Sequence, residues 1–170
     1  MHYRPITAGD DAAIAAIIRA NLEAYHLDRP GTAYFDPELD HLSAYYSAVP
    51  ARRAYWIAED AQAEILGGVG IAAFPAIPHC AELQKLYLSD RAKGRGCGSA
   101  LLRLAEQQAR TLGYRTLYLE THTALTAAIR LYETHGFRQI PRPEGALHST
   151  MDRFYQKSLL PGSDDSPALF

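Results

Sequence analysis

The 170-residue chain lacks the features that mark several classes of protein. Its two cysteines are too few for a disulfide framework, so we expect a reducing, cytoplasmic compartment. No apolar run is long enough to cross a bilayer, and the first residues do not show the basic-then-apolar pattern of a signal peptide. The net charge of −2 gives no reason to expect nucleic acid. We therefore predict neither a membrane nor a nucleic-acid partner.

A recognisable metal-ligand spacing is also missing from the sequence. Histidines occur at positions 79, 122, 135 and 148, but their separations match no zinc pattern. His79 is adjacent to Cys80 rather than suitably spaced from it. We predict no metal, and we interpret Cys97 as a packing residue rather than a redox group.

No internal repeat or linker divides the chain. We predict a single domain over residues 1–160, which is long enough to bury an adequate core. Proline, glycine, serine and aspartate cluster just beyond it, and we predict a C-terminal tail over residues 161–170.

The apolar patterns predict an α/β protein with a mixed sheet. Predicted strands cover residues 2–6, 54–59, 65–74, 82–88, 116–121, 137–140 and 151–158. Predicted helices cover residues 10–24, 36–46, 99–112 and 126–135. Hairpin-length turns join the early strands, whereas a strand, a helix and a strand follow one another from 82 to 121. We therefore predict an antiparallel N-terminal half joined to a parallel βαβ pair.

The most informative segment is 86–99, where a short apolar strand leads through a basic, glycine-rich loop into an amphipathic helix. Its glycines are Gly94, Gly96 and Gly98, and its cations are Arg91, Lys93 and Arg95. Glycines leave the backbone open to an approaching anion, and a helix N-terminus supplies unpaired N–H groups. The segment therefore predicts a site for a phosphorylated ligand; a glycine-rich turn without a ligand is the alternative.

A dinucleotide-binding βαβ unit would also use such a loop, with Glu120 as its ribose carboxylate. The glycine spacing argues against it, because G-x-G-x-x-G started at Gly94 or Gly96 would place its third glycine at Ser99 or Leu101. No glycine-lysine-serine/threonine triplet of a Walker loop is present either. A nucleotide-binding regulator that uses Glu120 remains a weaker alternative.

Three segments, in this order along the chain, resemble the GNAT family of N-acetyltransferases. Residues 81–88 resemble the strand before its coenzyme A loop, Lys93-x-x-Gly96-x-Gly98 resembles the (Gln/Arg)-x-x-Gly-x-(Gly/Ala) loop itself, and residues 128–137 resemble the closing helix and turn. The resemblance is specific over about residues 65–140. Lys93 stands where arginine or glutamine is usual, and Leu125 stands where an asparagine often occurs.

The resemblance implies a GNAT-like acyl-CoA N-acyltransferase fold and acetyl-CoA as the co-substrate, with an amine as acceptor. The implied coenzyme contacts are Leu86, Tyr87, Leu88, Lys93, Gly94, Arg95, Gly96, Cys97, Gly98 and Ser99. The pantetheine amides would pair with the strand that ends at Leu88, in the manner of an added strand. The N–H of Leu88 or its neighbour is a candidate for stabilising the oxyanion.

Two residues are candidates for proton transfer. Tyr132 matches the family tyrosine, and its phenol is protonated at neutral pH, so it can donate to a departing thiolate. Its alternative role is core packing against Leu131 and Phe137. Glu82 is a carboxylate in an apolar strand and a candidate general base acting through water. Its alternative is an outward-facing charge paired with a cation such as Lys85.

The predicted function is transfer of an acetyl group from acetyl-CoA to the primary amine of a small molecule, amino acid or peptide, by direct attack in a ternary complex. A non-catalytic acyl-CoA-binding regulatory module is the alternative. The sequence does not choose the acceptor, nor between a monomer and a homodimer. Candidate acceptor-pocket residues are Tyr25, Tyr34, Phe35, Tyr45, Tyr46, His122, Glu38 and Asp152.

Overall fold

The computed structural model describes residues 1–160, and the predicted tail at 161–170 lies outside the described residues. The strands are β1 (His2–Pro5), β2 (Arg53–Glu59), β3 (Ile65–Ala73), β4 (Cys80–Leu88), β5 (Thr116–Thr121), β6 (Arg138–Ile140) and β7 (Arg153–Ser158). The helices are α1 (Asp11–Ala24), α2 (Leu42–Ser47), α3 (Cys97–Thr111) and α4 (Thr126–Thr134). Short 3₁₀ turns cover Ala8–Asp10, Ala33–Phe35 and Leu39–His41.

The seven strands form one mixed sheet in the order β1-β2-β3-β4-β5-β7-β6. Every neighbouring pair is antiparallel except β4 and β5, which the helix α3 connects in parallel. The predicted fold, an antiparallel half joined to a parallel pair, is confirmed. The parallel pairing runs from Cys80–Thr116 only as far as Glu82–Tyr118. Beyond Glu82, β4 continues to Leu88 without β5 beside it, so the two strands diverge.

Helices cover both faces of the sheet, each burying one apolar stripe. On one face the buried positions of α1 and α2 are Ile14, Ala15, Ile18, Leu22, Leu42 and Tyr46. On the other face those of α3 are Cys97, Leu101, Leu102, Ala105 and Ala109. Their spacing of three and four residues is the helical period that places side chains on one side. The two cores pack against β4 from both sides. They hold in place residues 83–88, the free end of β4, which pairs with β3 but not with β5.

A β-bulge shapes the part of β4 that leaves β5. Gly68 pairs with Tyr87 and Gly70 pairs with Gln84, so β4 has one residue more than β3 between these two pairs. Lys85 lies in this interval and has a φ of 50°, which is uncommon for a residue with a side chain. The bulge turns the end of β4 and directs the Lys85 side chain toward Asp36 and Glu38.

Two glycines of β3, Gly68 and Gly70, leave room for tyrosine rings, and this close fit gives a prediction about stability. A Cβ at Gly70 would overlap Tyr46 Oη and lie 2.6 Å from Tyr46 Cζ. We expect Gly70→Ala to lower the free energy of unfolding by about 1–3 kcal/mol, because the packed rings must shift. Urea unfolding measures it. In the control Gly9→Ala the new Cβ would have its nearest neighbour at 3.8 Å, and an equal loss there would contradict this account.

Two predicted helix starts differ from the structure. The sequence predicts a second helix that begins at Asp36, but α2 begins at Leu42 after a 3₁₀ turn. The Asp36 carboxylate binds Lys85 and His148 and is not used as a helix cap. Helix α3 begins at Cys97, two residues before the predicted start. Gly96 is its N-cap residue, with a left-handed φ of 76° that allows the chain to enter the helix directly from the loop.

Candidate functional site

A cavity of about 380 Å³ opens where β4 and β5 separate. Nine of the predicted site residues line it: Leu86, Tyr87, Leu88, Lys93, Gly94, Gly96, Gly98, Ser99 and Tyr132. Three others, Glu82, Arg95 and Cys97, are not among the lining residues. The structure therefore brings the free end of β4, the glycine-rich loop and the closing helix α4 to one cleft.

The free end of β4 turns backbone groups toward the cavity. Ser89 N–H donates to Leu66 O at 2.8 Å, next to the register pair Gly67–Leu88. That pair is consequently of the non-hydrogen-bonded kind, in which the N–H and C=O of Leu88 point away from β3. With β5 absent from this stretch, the N–H of Leu88 faces the cleft and can receive an acceptor atom of a ligand.

Asn21 of α1 binds the backbone C=O group of the same residue, Leu88. Its Nδ2 donates to Leu88 O and to Ile17 O, both at 2.8 Å, and its side chain lines the cavity. Asn21 therefore ties α1 to the free end of β4. Sequence reasoning missed this residue; its only signal was a polar side chain next to the apolar stripe of α1.

The glycine-rich loop presents the N-terminus of α3 to the cleft. Gly94 and Gly96 have φ values of 72° and 76°, and a Cβ at either position would meet no atom within 4 Å. Gly98 lies in the first turn of α3, where a Cβ would be 3.3 Å from Leu131 of α4. The first-turn N–H groups have no partner within the helix, so this concave surface suits an anion.

The cations of the loop are exposed and held by surface contacts. Lys93 Nζ lies 2.7 Å from Asp90 Oδ1, and Arg91 lies 3.0 Å from Asp60 Oδ2. Arg95 donates to Arg91 O at 3.4 Å. Only Lys93 of the three lines the cavity. Such exposed pairs contribute little to stability and can rearrange around an anionic ligand.

Cys97 belongs to the hydrophobic core rather than to the cleft. Its side chain is fully buried in the cluster formed by α3 and the sheet. Burial raises the pKa of its thiol above the ordinary value, which opposes thiolate chemistry. Cys97 can face a ligand through its backbone N–H only.

Tyr132 both packs and lines the cavity. Its ring is 6 % exposed and packs at centroid distances of 5.8 Å from Phe137 and 6.5 Å from Tyr155. Among residues 1–160 no hydrogen-bond partner of its hydroxyl is found, and burial raises its pKa above the ordinary value. The phenol is therefore a protonated donor aimed at open space, while its ring is fixed by the core.

Glu82 is buried directly below the divergence of the strands. Gln84 Nε2 donates to its carboxylate at 2.7 Å. Burial raises the pKa of Glu82 from 4.5 to about 7; the Gln84 hydrogen bond opposes this rise and the charge of Glu120 adds to it. Lys85 pairs with Asp36 and Glu38 instead, so an outward-facing Glu82–Lys85 pair is not the arrangement observed.

A partly buried charge network borders the other end of the cavity. It consists of Asp36, Glu38, Lys85, Glu120 and His148, of which Lys85 and Glu120 line the cavity. Lys85 Nζ lies 2.6 Å from Asp36 and 3.0 Å from Glu38. His148 connects Asp36, at 3.0 Å, to Glu120, at 3.4 Å. The N–H groups of Leu147 and His148 also donate to Glu120.

The network keeps His148 charged. Burial lowers its pKa, but hydrogen bonds to Asp36 and Glu120 outweigh burial and raise the pKa to about 10. Burial raises the pKa of Asp36 and of Glu120, but contacts with His148 at both carboxyls, with Lys85 at Asp36 and with backbone N–H groups at Glu120 outweigh it and lower both pKa values. His148 therefore holds the 145–150 loop onto β5 and onto the segment around Asp36.

Removing His148 tests this role. A folded-state pKa above 6.5 means that its stabilisation is fully present below about pH 6.5 and is lost as the pH rises through about 10. We expect His148→Gln to lower the free energy of unfolding by about 3 kcal/mol at low pH, and by less near pH ~10. Urea titrations across this range measure it. The exposed His41→Gln is the control, and a pH-independent loss in His148→Gln would contradict the charged state.

Glu82, Glu120 and His148 also offer one ligand atom each within 4.8 Å of one another. Carboxylate and imidazole groups at such distances could hold a divalent metal. Both ring nitrogens of His148 already contact carboxylates, however, so a metal would have to displace one of these bonds.

Most of the predicted acceptor-pocket aromatics lie elsewhere. Tyr25 lines the cavity, whereas Tyr46 is core and Tyr45 stacks beneath Arg53. The hydroxyl of Tyr34 donates to Glu23, and Phe35 is exposed. The remaining candidates hold local structure: His122 accepts from Ala124 N–H, Asp152 accepts from Thr123 N–H, and Glu38 pairs with Lys85.

Comparison with known proteins gives the family. The Acetyltransferase (GNAT) family pattern matches residues 16–137, and the chain belongs to this family. The Uncharacterized N-acetyltransferase YjgM of Escherichia coli K12 is 39% identical over 139 residues, which cover 81% of each chain. The predicted family membership is confirmed.

Solved structures show the same fold at low sequence identity. A GNAT-family acetyltransferase of Staphylococcus aureus Mu50 aligns with a TM-score of 0.83 at 18% identity, over 94% of this chain and 99% of that one. A GNAT superfamily phosphinothricin acetyltransferase of Sinorhizobium meliloti, solved in complex with AcCoA, gives 0.74 at 23% identity, over 99% and 93%.

A helix that crosses a membrane needs a long, continuous apolar stretch. Among residues 1–160, none of the helices is both long enough and apolar enough to cross a membrane.

Proposed function

We propose that the protein is an acetyl-CoA-dependent N-acetyltransferase that transfers the acetyl group directly to a primary amine. The observation that supports the proposal is the cleft itself. It runs from the N-terminus of α3, past the end of β4 that has no β5 beside it, to Tyr132 and Glu120. The Sinorhizobium meliloti relative in complex with AcCoA supports the choice of ligand.

The coenzyme is bound through main-chain groups. The diphosphate lies against the N–H groups of the loop and first turn of α3, with Lys93 beside it. Lysine supplies charge there without the planar fork of arginine. The pantetheine arm runs along β4 and pairs with Leu86 and Leu88 as an added strand would. Leu125, which lines the cleft in place of the asparagine frequent in the family, contributes packing and no amide hydrogen bond.

The chemistry requires three proton transfers and one exchange of bonds. Glu82 removes a proton from the acceptor ammonium through water, since its carboxylate does not line the cavity. The free amine attacks the thioester carbon, and Leu88 N–H stabilises the oxyanion, a contribution of roughly 3 kcal/mol. The intermediate collapses by breaking the C–S bond, and Tyr132 protonates the leaving thiolate. The second amine proton, released as the amide forms, restores Tyr132.

Two other functions are outcomes of the same test. A non-catalytic acyl-CoA-binding module would keep the loop but would not need Tyr132 and Glu82 in these positions. A nucleotide regulator would need the Glu120 carboxylate for a ribose, but that carboxylate accepts from two backbone N–H groups and contacts His148.

Thermal unfolding with added ligands tests the binding step. A ligand that binds only the native state raises the melting temperature, so we expect stabilisation by acetyl-CoA and by CoA and none by NAD. Release of free thiol in the presence of a panel of primary amines then tests turnover. Stabilisation without thiol release would favour the regulatory module, and stabilisation by NAD alone would contradict the proposal.

Location and assembly complete the proposal. Both cysteines are free and buried, which fits the proposed reducing cytoplasm. The oligomeric state proposed is a monomer or a homodimer, which size-exclusion chromatography with light scattering would determine.

A further inference from the structure

The charges around the end of the cavity that Lys85 and Glu120 line, called the acceptor end, support an inference about the acceptor. This inference rests on the proposed function. The network contains three carboxylates, Asp36, Glu38 and Glu120, but only two cations, Lys85 and His148. Glu82 adds a fourth carboxylate next to Glu120, and among residues 1–160 its only direct partner is the neutral Gln84. The acceptor end therefore has an excess of negative charge.

The cations near this end are already engaged. Lys85 Nζ contacts two carboxylates, and both ring nitrogens of His148 contact carboxylates. No arginine of residues 1–160 is among the residues that line the cavity. Arg53 stacks on Tyr45 at 4.1 Å, and Arg142 stacks on Phe154 at 5.1 Å and donates to backbone carbonyls. A carboxylate on the acceptor would find no unpaired cation among the cavity-lining residues of the described chain.

A buried hydroxyl lies next to these carboxylates, behind the residues that line the cavity. Tyr118 is fully buried, and its Oη lies beside Glu120 without a hydrogen bond of good geometry. Tyr118 pairs with Glu82 across the parallel strands and shares a face of β5 with Glu120. Glu120 already accepts from two backbone N–H groups and contacts His148, whereas Glu82 accepts only from Gln84 among residues 1–160. The remaining acceptor capacity of Glu82 suits a donor such as an ammonium or its bound water.

We infer that the acceptor is an aliphatic amine that carries a second cationic group and no carboxylate. One amine reacts with the thioester, and the second ammonium is stabilised by the negative end of the cavity. Like-charge contact disfavours an amino acid or other anionic acceptor at the same place. This pattern differs from what an anionic amino-acid substrate would require, namely an unpaired arginine or lysine facing the cavity.

Three acceptors with the same four-carbon chain test the inference. They are diaminobutane with an amine at each end, butylamine, and the aminobutanoate with its amine and carboxylate at opposite ends. Each presents the same primary amine on a four-carbon chain. At saturating acetyl-CoA and about pH 8, we expect kcat/KM to be about tenfold higher for the diamine than for aminobutanoate, with butylamine between them. Aminobutanoate or butylamine reacting as well as the diamine would overturn the inference.

A pair of matched variants tests whether the network causes the preference. Glu38→Gln removes one carboxylate from Lys85 and leaves its ammonium partly uncompensated. We expect the ratio of diamine to aminobutanoate to fall about threefold to tenfold. Glu64→Gln makes the same change on an exposed turn and should leave the ratio unchanged. A loss of folded protein lowers both rates equally, so it does not move the ratio; an unchanged ratio in Glu38→Gln would count against the inference.

A binding measurement separates this inference from the proposed function. If acetyl-CoA binds but neither these three amines nor the wider panel of primary amines is acetylated, the proposed catalytic function fails. Calorimetric titration of the CoA-bound protein with the same amines then decides the inference by itself. Tighter binding of diaminobutane than of aminobutanoate would support it, and equal or absent binding would overturn it.

Discussion

Tyr132→Phe is expected to lower kcat by about a hundredfold or more, because the variant loses the proton donor for the leaving thiolate. The ring would stay in place, since its contacts with Phe137 and Tyr155 do not involve the hydroxyl. Acetyl-CoA binding should therefore be unchanged. Steady-state thiol release gives kcat, and calorimetry gives the affinity for the coenzyme.

The matched control for Tyr132 is Tyr155→Phe. It removes the same group from a neighbouring buried ring whose hydroxyl donates to Glu133 and which is not among the cavity-lining residues. Its kcat should remain close to that of the wild type. A full kcat in Tyr132→Phe, or equal losses in both variants, would exclude Tyr132 as the general acid.

Glu82→Gln is expected to remove the acidic limb of the pH–rate profile. In the wild type, kcat/KM should fall as the pH drops below about 7, because the buried carboxyl becomes protonated and cannot act as a base. The variant should be slower by about a hundredfold near pH ~8, with a smaller difference at lower pH where the wild type is itself inactive. A limb near pH 7 that persists in Glu82→Gln would assign the titration to another group.

The same substitution has a stability consequence of defined sign. A folded-state pKa above 4.5 means that Glu82 contributes stability below about pH 4.5 and loses it as the pH rises through about 7. A rise from 4.5 to about 7 corresponds to roughly 3 kcal/mol. Relative to the wild type, Glu82→Gln should therefore become more stable by up to this amount between pH ~5 and pH ~8, which urea unfolding at several pH values would measure.

Features encoded by short, local sequence patterns could be predicted. The loop of Gly94, Gly96 and Gly98 and the following helix N-terminus depend on neighbouring residues, so their place in the cleft follows from the sequence. Tyr132 was predicted as a site residue because the motif around it is local. The structure adds that its core-packing and cavity-lining positions occur together.

Features that depend on distant contacts could not be predicted. His148 and Asp36 are 112 residues apart, and no local pattern indicates that their side chains meet. The bulge at Lys85 is visible only in the register between β3 and β4. The late start of α2 has the same origin, because Asp36 has helix-capping chemistry but binds Lys85 and His148 instead.

The central claim is that the end of β4 and the N-terminus of α3 bind acetyl-CoA between the diverging strands. A crystal structure of the protein with acetyl-CoA tests it most directly. We predict that the diphosphate contacts backbone N–H groups of the 93–99 segment and that the thioester carbonyl faces Leu88 N–H, within reach of Tyr132. Acetyl-CoA bound at another surface, or a cleft left empty at saturating ligand, would contradict the account.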